Sequence, residues 1–126
     1  MVERVKKIPG PDHMITVEPF AGRVIVTVAG KVVADSRNVV VLFETRHDPV
    51  YYFPREDTAM SAFERTTHSS YCGYKGEAAY YSITAGGERS TNAIWTYEDP
   101  FEAVDLIKGR LAFYDDRVAS IEATPA

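Results

Sequence analysis

The stretch Arg23-Val-Ile-Val-Thr-Val28, with Ala29-Gly30 and then Lys31-Val-Val-Ala34 behind it, decides the fold class. Val24, Val26 and Val28 alternate with Ile25 and Thr27, which is the two-residue period of a strand and not the longer period of a helix. Ala29-Gly30 supplies a tight turn, because glycine enters positive φ without a Cβ clash. Residues 31–34 then return as the second arm of a hairpin.

The same rhythm extends in both directions. Upstream, Gly10-Pro11-Asp12-His13 reads as a turn that starts a short strand at 14–17. Downstream, Asp35-Ser36-Arg37-Asn38 breaks the run, and 39–43 is apolar enough to be buried on both faces. His47-Asp48-Pro49 turns the chain into a strand at 50–53. Residues 54–63 carry one helical turn through Ala59, Met60 and Phe63, and 66–76 reads as a polar loop. A tyrosine-rich strand at 77–84 reaches the hairpin signal Ala85-Gly86-Gly87, and 88–97 returns, bent near Asn92. One helix is signposted: Asp99 as cap, Pro100 in the first position, Glu102 at capping-box spacing, and Gly109 at the end. Phe101, Val104 and Ile107 would share its buried face. Residues 111–114 are short and apolar, with a last turn over 115–121. The expectation is a mainly β fold of two antiparallel sheets, tent-like or an open barrel, with one short C-terminal helix.

The 126 residues suit a single domain, 1–126, with a flexible arm at 1–9 and a flexible tail at 122–126. At 45% hydrophobic and 25% charged, the chain can bury a core and is not disordered. The net charge is −4, and Lys6-Lys7 is the one basic cluster, so no nucleic-acid partner is expected. No apolar run approaches the roughly 20 residues needed to cross a bilayer. Residues 1–11 are charged and lack the apolar stretch of a secretory signal. One cysteine, Cys72, excludes an internal disulfide. A soluble, cytoplasmic protein is expected, monomeric or homodimeric.

Chemistry concentrates in the stretch 67–77, where His68, Cys72, Lys75 and Glu77 put an imidazole, a thiol, an amine and a carboxylate close together in the chain. A thiol beside an imidazole or amine can become a nucleophile, which makes Cys72 and His68 the catalytic candidates. Cysteine is also among the most frequently buried residues, so Cys72 equally reads as packing. Gly73 and Gly76 let the backbone approach a ligand or simply turn the chain. One cysteine and three scattered histidines fall short of a zinc set, and neither metal nor cofactor is expected. The P-loop, dinucleotide and nucleophile-elbow signatures are absent from the sequence.

The aromatic residues are placed by strand alternation. Tyr51 and Phe53 share one face and Tyr52 takes the other, and Tyr80 parts from Tyr81 in the same way, as does Trp95 from Thr96. Rings of this kind build cores. Eight tyrosines and one tryptophan beside Arg55, Lys75 and Glu77 also suit a pocket in which rings stack and a few polar groups orient a small molecule. Arg55 reads as a bidentate clamp for a carboxylate or phosphate, or as a surface turn with local ion pairs. Capping accounts for Asp99 in the Glu98-Asp99 pair.

Four stretches resemble one family: Gly10-Pro-Asp-His-Met-Ile-Thr-Val-Glu-Pro19, Val50-Tyr-Tyr-Phe-Pro-Arg-Glu-Asp57, Thr67-His-Ser-Ser-Tyr-Cys-Gly-Tyr-Lys-Gly-Glu-Ala78 and Asn92-Ala-Ile-Trp-Thr-Tyr-Glu-Asp-Pro100 look like the domain-of-unknown-function 427 family. That family is sometimes labelled nucleotidyltransferase-like. The resemblance implies a tent-like β fold of two antiparallel sheets meeting at an angle. Many domains of that fold hold zinc through paired C-x-x-C knuckles, and this sequence departs from them with its single Cys72. Others bind small ligands in an aromatic cleft on one sheet. Carried over to this chain, the ligand-binding positions are Tyr52, Arg55, His68, Tyr71, Cys72, Lys75, Glu77, Trp95 and Tyr97.

The leading expectation is thus a small-molecule-binding domain with an aromatic and polar pocket. The alternative is a small enzyme acting on a nucleotide-like or other small anionic substrate through Cys72 and His68. A dimerising structural domain would instead expose a strand edge for pairing.

Overall fold

Alternating apolar residues do become strands in the computed structural model, which describes residues 4–126. In chain order these are β1 (Ile15–Pro19), β2 (Gly22–Val28), β3 (Lys31–Ser36), β4 (Val40–Glu44), β5 (Val50–Tyr52), β6 (Phe63–Cys72), β7 (Gly76–Ala85), β8 (Glu88–Thr96), β9 (Leu111–Phe113) and β10 (Ser120–Pro125). All pairings between them are antiparallel. The protein is mainly β and open, with no closed barrel among the described residues. The strands divide into three sheets, ordered β1-β4-β5, β10-β2-β3 and β6-β7-β8-β9.

The extra sheet, beyond the two expected, follows from where the strands stop. β5 ends at Tyr52, and Phe53 makes only an isolated bridge to Leu111 on β9, with N–H···O distances of 2.8 and 2.9 Å. That bridge ties the β1-β4-β5 sheet to the β6–β9 sheet without merging them. Alternation then sorts side chains onto two cores. Phe53, Tyr81, Ile83, Ile94, Leu111 and Phe113 face Val24, Val26 and Val28 of β2 in the first core. Tyr52, Ala78, Tyr80 and Ala112 face the other way and pack with Val40 and Leu42 of β4 in the second.

The β2–β3 turn is as read: Ala29 and Gly30 sit at φ of 49° and 76°. Its tip touches the β7–β8 tip. A Cβ on Gly86, where φ is +60°, would lie 2.9 Å from the Ala29 Cβ, so both space and backbone demand glycine there. The bend near Asn92 is a bulge. Asn92 takes φ of 50°, its N–H donates to Ser82 Oγ at 3.0 Å, and Thr66 Oγ1 donates to its side-chain oxygen at 2.7 Å.

Three expectations are corrected. Residues 66–72 are strand, not loop, and complete β6 along the edge of β7. Their polar side chains face solvent on both sides, which hides the alternation, and a bulge sets Thr66, Thr67 and His68 against Tyr80. Residues 122–126 are not a free tail: as far as Pro125 they belong to β10, paired with β2 from Ser120↔Thr27 to Pro125↔Gly22. The C-terminal helix is a 3₁₀ segment, Glu102–Ile107, kinked at Val104. Asp99 does not cap it. The Phe101 N–H donates instead to the Lys75 carbonyl at 3.0 Å, which holds the chain extended through Phe101, and Glu102 pairs with Lys6 at 2.6 Å. Val104 and Ile107 are still buried, in the second core.

Of the arm expected at 1–9, residues 1–3 lie outside the described residues. Residues 4–9 are tethered along the β6–β7 turn. The Lys7 N–H donates to the Gly73 carbonyl at 2.8 Å, and Tyr71 Oη donates to the Val5 carbonyl at 2.9 Å. No helix among the described residues is long and apolar enough to cross a membrane.

Candidate functional site

The second core is not filled by protein throughout. It opens on a hollow of ≈ 980 Å³, within the size range of small-ligand sites. Its walls are Tyr52 of β5, Tyr80 of β7, Trp95 of β8 and Tyr97 just beyond it, joined by Tyr114. Trp95 Nε1 donates to Tyr52 Oη at 3.2 Å, which fixes both rings, and the Trp95 and Tyr114 ring centres are 4.5 Å apart. Tyr80 is held by Ser70 at 2.8 Å. Tyr97 is only 7% exposed, yet its hydroxyl has no hydrogen-bond partner among the described residues. No buried polar atom lacks a partner among them, so that hydroxyl reaches open space at the hollow.

The polar end of the hollow is centred on Glu44, the last residue of β4. Its side chain is 8% exposed and is shared by three cationic or imidazole groups. Lys75 Nζ donates to Oε1 at 2.7 Å, His13 Nε2 donates to Oε2 at 2.7 Å, and His47 Nε2 stands 3.9 Å away. Lys75 Nζ also lies 3.7 Å from Cys72 Sγ. Burial by itself would raise the Glu44 carboxyl, but the hydrogen bonds from Lys75 and His13 outweigh it and hold the group below its ordinary value. Glu44 is therefore a fixed anion, and a carboxylate can only accept. The phenols respond oppositely. Burial raises Tyr52 and Tyr97 above the ordinary tyrosine value, and burial with the Tyr80 hydrogen bond pushes Tyr114 up to about 12. All three stay neutral and able to donate.

This constellation exists because distant segments are in register. Ile15 pairs with Glu44, which brings His13, two residues earlier, alongside the carboxylate. The β6–β7 turn reaches back across the hollow and delivers Lys75 to the same group. Tyr74, in that turn, stacks on His13 with ring centres 4.1 Å apart and planes 4° off parallel.

Of the nine residues singled out in the sequence, Tyr52, Cys72, Lys75, Trp95 and Tyr97 line the hollow. The other four lie elsewhere. Arg55 is a structural peg: Nε donates to the Gly109 carbonyl at 2.7 Å and its guanidinium stands 3.6 Å from Glu98. His68 sits in the β6 bulge, exposed, edge-on to Tyr80 at 4.4 Å. Tyr71 and Glu77 are cross-strand partners on the face away from the hollow. Together they hold Arg4, which pairs with Glu77 and covers the Tyr71 ring at 5.0 Å. Lys75, not His68, is the group beside the thiol.

Glu44, His13 and His47 escaped the sequence reading. Glu44 closes an apolar strand, and both histidines stand in turns whose Pro and Asp neighbours explain themselves. The one available signal was His13 within the Gly10–Pro19 stretch that carries the family resemblance. Among the described residues no cluster of His, Cys, Asp and Glu is arranged to hold a metal ion.

These features define a mainly β domain with an aromatic-walled hollow ending in a buried, shared carboxylate. Residues 16–124 match the model of the family described as domain of unknown function (DUF427), and the chain belongs to that family. No curated protein matches the chain.

Proposed function

We propose that the protein binds a small molecule carrying an aromatic or other planar group in the hollow between β4, β5, β7 and β8. The Tyr97 hydroxyl carries this reading. The Tyr97 residue is more than nine-tenths buried, yet its hydroxyl is accessible, has no partner among the described residues, and borders an aromatic-walled space. A phenol whose ring is held by packing while its hydroxyl stays free offers a ligand a pre-positioned hydrogen bond. The rings supply stacking surface, and the Glu44 end supplies fixed polar groups. The net charge of −4 accords with a small ligand rather than a nucleic acid, and we place the protein in the cytoplasm as a soluble monomer or homodimer. A thermal-shift screen with aromatic acids, nucleosides and flavin-like compounds tests the proposal. At least one compound should raise the Tm of the native chain and raise that of Tyr97→Phe by less. No shift from any compound would count against a binding role.

A second reading, a small enzyme acting on an anionic substrate through Cys72, is favoured by the Lys75 ammonium 3.7 Å from Sγ. At that distance the ammonium can donate to the sulfur and to charge that develops near it. Alkylation by iodoacetamide should then be faster at Cys72 in the native chain than in Lys75→Met. Equal rates would remove this reading.

A further inference from the structure

We propose that His13 is a general base for the hollow and that the ligand class it serves is an aromatic 2-oxo acid, tautomerised between keto and enol forms. This rests on the ligand-binding reading above and adds an activity to it.

The carboxylate–imidazole pair carries the inference. Glu44 is ionised, so the contact at 2.7 Å requires an N–H on His13 Nε2. In the neutral ring this leaves the lone pair on Nδ1. That atom has no partner among the described residues and is not sealed from solvent, since no unpartnered buried polar atom remains. His13 borders the hollow with its side chain 18% exposed, and the parallel Tyr74 ring fixes its plane. An imidazole oriented by a buried carboxylate, with its second nitrogen accessible and its ring bordering a ligand space, is the arrangement of a general base.

The groups around it define the substrate. Trp95 and Tyr114 offer a ring surface. Lys7 lies over Tyr74 at 5.6 Å, borders the hollow, and has no carboxylate partner among the described residues, so it suits a substrate carboxylate. Tyr97 and Lys75 can each donate a hydrogen bond to an oxygen that gains charge. In the step, the C–H bond next to the ketone breaks and its proton passes to His13 Nδ1. The electron pair forms the enol double bond as the carbonyl pair moves onto oxygen. The imidazolium, stabilised by Glu44, then returns the proton to that oxygen. Atoms and charge balance, and no oxidant, reductant or cofactor is consumed. Glu44 is a positioning residue, since it acts through His13.

Phenylpyruvate in D₂O is the probe, with deuterium entry at its methylene followed by proton NMR and binding followed by Trp95 fluorescence. The native chain should exchange the methylene above the buffer rate. His13→Asn should lose about a hundredfold. Glu44→Asp should keep part of the rate, and Glu44→Gln should lose rate with a displaced pH profile, which a merely structural role would not produce. Glu64→Gln, on the exposed side of β6, should match the native chain. An unchanged rate in His13→Asn, or no exchange by the native chain, overturns the inference. If phenylpyruvate binds without exchange, only the activity falls and the binding reading stands. If it neither binds nor exchanges, and no compound of the thermal screen binds, both fall.

Discussion

The two faces of the β6–β9 sheet are built from adjacent residues and do opposite things. One face, with Ile83, Ile94 and Phe113, meets β2 in a core of Val, Ile and Phe side chains, and its one buried phenol, Tyr81, accepts a hydrogen bond from Arg55 at 3.2 Å. The other carries Tyr80 and Trp95 toward Tyr52 and Tyr97, each with a polar tip that needs a partner. The first face is satisfied by the protein itself. The second is satisfied at Tyr52 and Tyr80 but left open at Tyr97, and it leads to a carboxylate already holding Lys75 and His13. Alternation along a strand thus separates a stabilising surface from a receptive one within a single residue, as at Ile94 and Trp95.

The largest expected effect breaks the dry side. Ile94 is fully buried, and Ile94→Ala should cost about 4 kcal/mol in chemical denaturation through lost burial and the cavity left behind. A loss as small as that of a surface substitution would show that this core is not what holds the sheets together.

Next comes the polar end of the receptive side. Glu44→Gln leaves the Lys75 ammonium, 11% exposed, without its counter-charge and should cost about 3 kcal/mol. The pH dependence has a definite sign. The Glu44 carboxyl is depressed below its ordinary value of 4.5, so its contribution is complete above that value. The contribution disappears as the pH falls through the lower folded-state value. Native and Glu44→Gln stability curves should therefore converge in acid and diverge toward neutrality. Parallel curves would mean that the shared carboxylate does not stabilise the fold.

Smaller effects sharpen the contrast between two tyrosines. Tyr52→Phe removes the acceptor of Trp95 Nε1 and should cost about 1 kcal/mol, with a changed Trp95 emission spectrum. Tyr97→Phe removes a hydroxyl that no described residue uses, and should change stability by less than about 0.5 kcal/mol. Equal costs at both positions would erase the distinction between a satisfied and a receptive phenol.

The sequence made the apolar half of this comparison easy to see. Val24, Val26 and Val28 announce a buried face, and Gly86-Gly87 announces a hairpin, because both signals are local. β6 and β10 were hidden because their exposed residues show no alternation, and their partners β7 and β2 supply the order. The capping signals at Asp99 and Glu102 were misleading, since the Lys75 carbonyl competes for the Phe101 N–H and Lys6 competes for Glu102. In the site, Tyr52, Lys75 and Trp95 stood out by residue type. Glu44 and His13 did not, because only the Ile15↔Glu44 register joins them. Tyr71 and Glu77 were plausible by proximity to Cys72, but one step along a strand sends them to the opposite face.

The most direct test is calorimetric titration of native protein and Tyr97→Phe with a compound that raises the native Tm. The account predicts about tenfold weaker binding by the variant, the value of one hydrogen bond, with the unliganded Tm unchanged. Equal affinities, or a ligand that displaces nothing in the hollow and leaves Trp95 fluorescence untouched, would contradict the claim that this face of the sheet is kept open for a ligand.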